Sequence, residues 1–241
     1  MSGMIPQIVH LSWKTKDIAD NQSPMILNGL RNLIDQNPGW QVTIHDDQEV
    51  ESYLKSSLSQ QDYELIRHRY IVEKTDLWRL LKLYNEGGLY TDLDRYFNIP
   101  LDSLLEPQIK WVLPTYLDHD FSQDFMMSAP GNPIFQQALA LNLERRRQGW
   151  NNIYALGPQT YMHAVTLALF GRTIDSNPGA EVFRQIRQAL AAMPFIKTYR
   201  ETPPFDTISY HHDEASFKVG NGKNKKEFYE EFQVRHWTDL G

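Results

Sequence analysis

The sequence predicts an α/β fold with one mixed, Rossmann-like sheet flanked by helices. In the first half, short apolar runs typical of strands alternate with longer segments of helical periodicity. The second half mixes further short strands with helices. Since no internal repeat, low-complexity segment or long linker divides the 241 residues, we predict a single domain over residues 1–241.

Apolar periodicity, together with glycine and proline as element boundaries, gives the elements in order. Strands are predicted at about 5–12, 40–45, 88–92, 110–114 and 124–129, with short strands over 206–218. Helices are predicted at about 24–36, through 60–86, and near 132–147, 158–170 and 180–193. In an open sheet of this kind, ligands bind at the carboxyl ends of the strands. The residues that follow the strands are therefore the first candidates for a site.

Composition narrows the class of protein. The chain is 41% hydrophobic, enough for a full core, yet no stretch approaches the roughly 20 apolar residues of a membrane span. The first strand begins near residue 5 and leaves no room for a signal peptide, so we expect a cytoplasmic protein. With no cysteine, a metal would have to be bound through oxygen and imidazole.

Charge argues against nucleic acid as a partner, because the net charge is −6 and phosphate binding needs clustered cations. The basic residues form two local runs: Arg145, Arg146 and Arg147 in one, and Lys223, Lys225 and Lys226 in the other. Each run is either a solvated face or a contact for an anionic acceptor, a lipid headgroup or a donor diphosphate. The lipid-headgroup alternative is compatible with peripheral contact between the protein and a membrane.

The strongest functional signal is a pair of carboxylates, Asp92 and Asp94, that follows a helix, a double glycine and a strand. Side chains two residues apart in a strand share a face, so both carboxylates can meet one hard cation. The alternative is an acidic loop that only contacts water. On the preceding helix, Asp76 and Arg79 are three residues apart and share a face. That pair is either part of the site or an ordinary surface ion pair.

This segment resembles the DxD sugar-binding core of family 32 glycosyltransferases, the group that includes the Och1-like mannosyltransferases. The resemblance rests on Lys74, Asp76, Arg79, Leu83, Tyr84, Gly87, Gly88, Tyr90, Asp92, Leu93 and Asp94. Further landmarks of the family occur in the same order at residues 5–14, 37–40, 125–130, 157–158 and 211–217. The resemblance therefore spans most of the chain and implies a GT-A-type fold.

The resemblance also implies a reaction. A hexose would move from a UDP- or GDP-hexose to a glycan, lipid or protein acceptor, with retention and with Mn²⁺ or Mg²⁺ as cofactor. Asp92 and Asp94 would be the catalytic carboxylates and would hold the metal together with His212, or with His211 in its place. The donor-binding residues implied in the same way are His10, Trp13, Asp76, Arg79, Tyr90, Asp92, His211 and Ser216.

Trp13 would stack on the nucleobase, although packing in the core is the alternative for a tryptophan that ends an apolar strand. Tyr90 can equally serve to shape the turn. No nucleophile is identified, and Asp118, Asp120 and Asp124 are either solvated loop acids or groups near the reacting carbon.

Some positions depart from the family pattern. Asp213 and Phe217 replace the two tryptophans of its closing motif, Leu156 replaces a threonine, and Gln123 or Asp124 stands at an asparagine position. The lost tryptophans motivate a second hypothesis, a catalytically silent subunit that binds a nucleotide sugar or serves in assembly. Turnover with nucleotide sugars distinguishes the two hypotheses.

Overall fold

A computed structural model describes residues 3–18, 24–93, 95–97, 100–116, 121, 123–174, 182, 185, 188–189, 192–193, 196–201 and 208–209. The strands are β1 (Ile8–Ser12), β2 (Gln41–His45), β3 (Gly88–Thr91), β4 (Tyr96–Phe97), β5 (Trp111–Tyr116), β6 (Phe125–Ser128), β7 (Ile196–Glu201) and β8 (Ile208–Ser209). The helices are α1 (Pro24–Gln36), α2 (Asp47–Ser57), α3 (Gln60–Glu64), α4 (Ile71–Glu86), α5 (Pro133–Arg147), α6 (Ile153–Leu156) and α7 (Pro158–Phe170).

A six-stranded mixed sheet forms the centre, in the order β2-β1-β3-β6-β5-β7. Strands β2, β1 and β3 are parallel to one another, whereas β6 is antiparallel to both of its neighbours, β3 and β5. Strand β7 is parallel to β5, and β4 pairs with β8 in a separate two-stranded sheet. The predicted fold class, a mixed α/β sheet flanked by helices, is confirmed. The single-domain organisation stays a prediction.

The alternation of side chains along the strands divides the core into two clusters. On β3, Leu89 belongs to one cluster and Tyr90 to the other, and on β6 Met126 and Met127 are divided in the same way. The cluster around Tyr90 includes residues of α2, α4, α5 and α7. Tyr90 therefore lies on the face of the sheet that α4 covers, which is the face on which Asp76 and Arg79 are found.

Helix α4 is buried over residues 73–83, far beyond a single apolar stripe. It ends at Gly87, whose φ of 70° suits glycine and whose N–H donates to the carbonyl of Leu83. Gly88 continues the turn at φ 92°, and a Cβ there would overlap the carbonyl oxygen of Ile8 on β1. The double glycine is thus required for the chain to reverse and for β3 to lie directly against β1.

Most predicted boundaries agree with the observed ones to within a few residues, but β4, α6 and β7 were not predicted, and neither was α2. Its start is marked by a capping box, in which Asp46 accepts from the N–H of Glu49 at 2.8 Å and the Glu49 side chain accepts from the Asp46 N–H at 3.3 Å. The predicted helical stretch through 60–86 also divides into α3 and α4. The helix predicted at 180–193 and the strands over 206–218 lie largely outside the described residues.

For two of its three residues, the first basic run is neither a solvated face nor an anion contact, whereas the third, Arg147, is exposed as a solvated face requires. Arg145 and Arg146 are only 6% and 8% exposed. Arg146 forms an ion pair with the buried Glu73 at 2.9 Å, and Arg145 donates to the carbonyl of Ala155 at 2.6 Å. Both guanidinium groups hold α5 against neighbouring elements, since the last turn of α5 packs between α4 and the α6–α7 region. Lys223, Lys225 and Lys226 lie outside the described residues.

The helices of the described ranges include none that is long and apolar enough to cross a bilayer.

Candidate functional site

Asp92 follows the last residue of β3, at the carboxyl end of a central strand. Its backbone N–H donates to the carbonyl of Asp124 at 3.0 Å, which fixes the turn. The side-chain Oδ1 accepts a hydrogen bond from the Tyr90 hydroxyl at 2.7 Å. The side chain is 39% exposed, and Oδ2 has no hydrogen-bond partner among the described residues. Asp92 therefore presents one oxygen that is held by the protein and one that is available to a ligand.

Arg79 lies at the centre of the contacts behind Asp92. Its guanidinium carbon is 4.2 Å from the centroid of the Tyr90 ring, and Nη1 is 3.8 Å from Asp92 Oδ1. Nη1 also donates to the carbonyl of Gln123 at 2.8 Å. With 6% exposure, Arg79 is a buried cation that positions both Tyr90 and Asp92.

Asp76 is the second carboxylate that contacts Arg79, with Oδ1 at 3.1 Å from Nη2. The prediction that Asp76 and Arg79 share one face of α4 is thus confirmed. The pair is buried rather than on the surface, since Asp76 is 5% exposed. Burial raises the pKa of Asp76 from its ordinary value of 3.8 to about 6, against the lowering effect of Arg79, and the nearby Asp92 charge raises it further. The carboxyl group therefore gains a proton under mildly acidic conditions.

Gln123 completes the network, and sequence reasoning assigned it no role at the site. Its side-chain Nε2 donates to Asp76 Oδ1 at 2.7 Å, while its backbone carbonyl accepts from Arg79. One residue thus binds both members of the ion pair. The only signal in the sequence was its place just before β6, at the position where the family pattern has asparagine. Sequence spacing does not predict a contact between two residues that are 47 positions apart.

Gly157, at the N-terminus of α7, closes the network from the other side. A Cβ built there would overlap the Asp76 carboxylate and come within 3.1 Å of Gln123 Nε2. Because a buried side chain of the network would have to move, we expect Gly157→Ala to lower the free energy of unfolding by about 1–3 kcal/mol. Urea denaturation measures this change.

Gly39→Ala is the matched control, since a Cβ at Gly39 meets no heavy atom within 4 Å. Its free energy of unfolding should change by no more than about 0.5 kcal/mol. Equal effects of the two substitutions would show that the contact between Gly157 and Asp76 does not limit packing.

His10 lies on the neighbouring strand β1 and Trp13 just beyond it, and the described contacts of both are with other residues of the protein interior. His10 is 2% exposed, and its Nε2 is 3.0 Å from the carbonyl oxygen of Gly87. Trp13 packs against the cluster that contains Leu11, and its buried Nε1 has no hydrogen-bond partner within the described ranges. Donor contact by either residue stays a prediction.

The His10 ring is expected to remain neutral well below pH 6. Burial lowers its pKa from the ordinary 6.5 to about 4, and a carbonyl partner requires the proton on Nε2. Long-range ¹H–¹⁵N NMR should show protonated Nε2 and unprotonated Nδ1 until the pH approaches about 4. A titration midpoint near 6.5 would contradict the buried placement of this ring.

Several predicted site residues fall outside the described residues, namely Asp94, His211, His212 and Ser216, and so do Asp118 and Asp120. Asp124 is described and forms an ion pair with the buried Arg95, so it is no free loop acid. Within the ranges that the structure describes, no three His, Cys, Asp or Glu side chains are grouped as metal ligands would be. Of the predicted metal ligands, Asp92 is the one that lies within the described residues.

The chain is similar to known glycosyltransferases. Residues 25–110 match the family described as glycosyltransferase sugar-binding region containing DXD motif. Inositol phosphoceramide mannosyltransferase 1 of Schizosaccharomyces pombe is 30% identical over 135 residues, which are 56% of this chain and 42% of that protein. Mannosyl phosphorylinositol ceramide synthase CSH1 of Saccharomyces cerevisiae is 27% identical over 149 residues, 61% of this chain and 37% of that protein. The chain spans about two fifths of the length of these curated relatives.

Among solved structures, the PaToxG glycosyltransferase aligns with 96% of this chain and 86% of its own, at a TM-score of 0.56 and 19% identity. This likeness concerns the fold, which is of the GT-A type. The matched family region contains Asp76, Arg79, Tyr90 and Asp92. Residues 25–110 are therefore similar, on a GT-A-type fold, to the sugar-binding region of DXD glycosyltransferases.

Proposed function

We propose that this protein is a metal-dependent glycosyltransferase of the family 32 type, which moves a hexose from a nucleotide-diphosphate sugar to an acceptor with retention. The observation that carries the proposal is the half-exposed Asp92 carboxylate at the end of β3, held on one oxygen by Tyr90 and open on the other. It occurs within the segment that matches the DXD sugar-binding region.

The donor set of Asp92 fits a hard divalent cation. Mg²⁺ and similar ions are commonly bound by one or two carboxylates together with substrate phosphates and water, so a third acidic side chain is not required. Asp94 is the second carboxylate of the proposed site, and His212 or His211 is its imidazole, which favours Mn²⁺ over Mg²⁺. When bound, such an ion stabilises the charge that develops on the departing diphosphate by several kcal/mol.

The described residues behind Asp92 serve to hold it in place. Tyr90 donates to its Oδ1, and Arg79 supplies a buried positive charge that keeps this carboxylate and Asp76 from repelling each other. Asp76 and Arg79 are also the proposed partners of the sugar hydroxyls, as the family resemblance implies. In the present arrangement their described partners are within the protein, so donor binding would add contacts at the exposed side of this network.

Mannose is the first candidate for the sugar, because the curated relatives are named as mannosyltransferases acting on inositol phosphoceramide. The same names favour a lipid with a phosphorylated headgroup as the acceptor over a glycan or a protein. GDP- and UDP-hexoses are both retained as donors.

A turnover assay tests the proposal. The purified protein is incubated with a panel of GDP- and UDP-hexoses, with Mn²⁺ or with a chelator, and with and without phosphoinositol lipids, and released nucleoside diphosphate is measured. We expect release from one donor only when the divalent ion is present, and faster release with an acceptor. Binding of a nucleotide sugar without turnover under every condition would instead identify a silent binding subunit.

A further inference from the structure

The residues that follow Asp92, called here the 93–97 segment, pack against helix α1. Ile26 and Leu33 of α1 belong to the same buried cluster as Leu93 and Phe97 of the segment. The buried apolar residues of α4 belong to the other cluster, on the opposite face of the sheet. The 93–97 segment is therefore held from the face opposite to the one from which α4 holds Asp92.

Gly29, in the interior of α1, lies directly against the backbone of the 93–97 segment. A Cβ at this position would be 2.5 Å from the carbonyl oxygen of Leu93 and 3.3 Å from that of Arg95. The first distance is a steric overlap with backbone, so a side chain here would displace either the segment or the helix. Glycine destabilises a helix interior relative to alanine, and the close approach of the two backbones explains why it stands here.

Asn32 of α1 binds the same segment through both polar atoms of its side chain. Nδ2 donates to the carbonyl of Phe97 at 2.9 Å, and Oδ1 accepts from the N–H of Phe97 at 2.7 Å. The amide thus pairs with the backbone of one residue, as a neighbouring strand would. Because Gly29 and Asn32 are three residues apart, both contacts come from one face of α1.

The start of the 93–97 segment is also closed on itself. The N–H of Arg95 donates to the carbonyl of Asp92 at 3.1 Å, and the buried Arg95 guanidinium pairs with Asp124. Asp94 lies outside the described residues, but its two neighbours in the chain, Leu93 and Arg95, are both fixed. Since consecutive Cα atoms are about 3.8 Å apart, a residue between two fixed neighbours has little freedom of position.

We propose that helix α1, through Gly29 and Asn32, positions Asp94 beside Asp92 for a shared divalent cation. Gly29 sets how closely the helix approaches the 93–97 segment, and Asn32 fixes where the segment lies along the helix. The two carboxylates are then held from opposite faces of the sheet, Asp92 from the side of α4 and Asp94 from the side of α1. This inference rests on the proposed function, since it concerns the metal site of that reaction.

Manganese binding tests this positioning role without turnover. The full chain is titrated with Mn²⁺ at saturating GDP or UDP, and free Mn²⁺ is measured by electron paramagnetic resonance against the same solution without protein. Gly29→Ala and Asn32→Ala should each raise the dissociation constant for Mn²⁺ about tenfold or more, the usual effect of losing a group that orients a metal ligand. Asp94→Ala should raise it at least as much.

A double-mutant cycle separates positioning from a general effect on the fold. Added to Asp94→Ala, neither Gly29→Ala nor Asn32→Ala should weaken Mn²⁺ binding further, because a residue that acts through Asp94 then has nothing to position. Melting temperatures ensure that folded proteins are compared. Asn32 is only partly buried, so Asn32→Ala supplies a folded variant even where Gly29→Ala is too unstable to purify.

The matched controls are Gly39→Ala and Asn28→Ala. A Cβ at Gly39 meets no heavy atom within 4 Å, and Asn28 is exposed on α1. Both should bind Mn²⁺ as the wild type does. Wild-type affinity in Gly29→Ala and Asn32→Ala, or losses that persist in full beside Asp94→Ala, would overturn this inference alone. A wild type that binds no Mn²⁺ with either nucleotide would overturn the metal-dependent function with it.

Discussion

Arg79→Met is expected to lower the free energy of unfolding by about 3–5 kcal/mol, the usual cost of leaving one member of a buried ion pair without its partner. Asp76 would remain buried with only the Gln123 amide as a described hydrogen-bond donor. Tyr90 and Asp92 would also lose the cation that contacts both of them. Urea denaturation at neutral pH measures the effect.

Arg67→Met is the matched control. Arg67 also pairs with a carboxylate three residues away, Glu64, but its side chain is 46% exposed. Exposed pairs of this kind contribute less than about 1 kcal/mol, so this variant should remain close to wild type. Similar losses for the two variants would mean that the Asp76–Arg79 pair is no more than a surface contact.

The Arg79→Met defect should depend on pH in a defined direction. Burial already raises the pKa of Asp76 above its unfolded value, so the folded protein binds this proton more tightly than the unfolded chain. The stability linked to that proton is present below about pH 4 and is lost as the pH rises through about 6. Without Arg79 the pKa rises further, so the variant should be less defective at pH 5 than at pH 8. Adding Asp76→Asn should recover part of the loss at pH 8.

Asp92→Asn is expected to reduce turnover of the nucleotide sugar by about 10²–10³-fold, which corresponds to about 3–4 kcal/mol of transition-state stabilisation. The substitution keeps the size and the contact with Tyr90 but removes the negative charge on the open oxygen. Because the side chain is 39% exposed, the fold should be retained. Initial rates at saturating donor and metal, together with a melting temperature, measure both properties.

Asp35→Asn on α1 provides the control for this loss of charge, since Asp35 is an exposed aspartate far along the chain from β3. It should leave the rate unchanged within twofold. If Asp92→Asn is as active as Asp35→Asn, the carboxylate has no part in the reaction and the metal assignment fails with it.

The sequence allowed the contact between Asp76 and Arg79 and the turn between α4 and β3 to be predicted, because local spacing carries that information. Three-residue separation on a helix placed Asp76 and Arg79 together, and the double glycine predicted where α4 would end and β3 begin. Spacing does not reveal burial, however. Asp76 and Arg79 are buried because α4 is covered on nearly all sides by α2, α5 and the sheet, which only the tertiary arrangement determines.

The same limit explains the residues that were missed or misread. Gln123 reaches Asp76 through the pairing of β6 with β3, a contact that requires the strand order of the sheet. Arg145 and Arg146 have the sequence appearance of a solvated helix end, yet they are buried against partners on other elements. Polar residues that pair across the fold are invisible to local periodicity.

The most direct test of the account is a crystal structure of the protein soaked with Mn²⁺ and the nucleoside diphosphate of its donor. We predict density for one ion bound to the free Oδ2 of Asp92 and to phosphate oxygens, with Asp94 as a further ligand. Nucleotide bound elsewhere on the surface, or no ion beside Asp92 at saturating manganese, would contradict the proposed function.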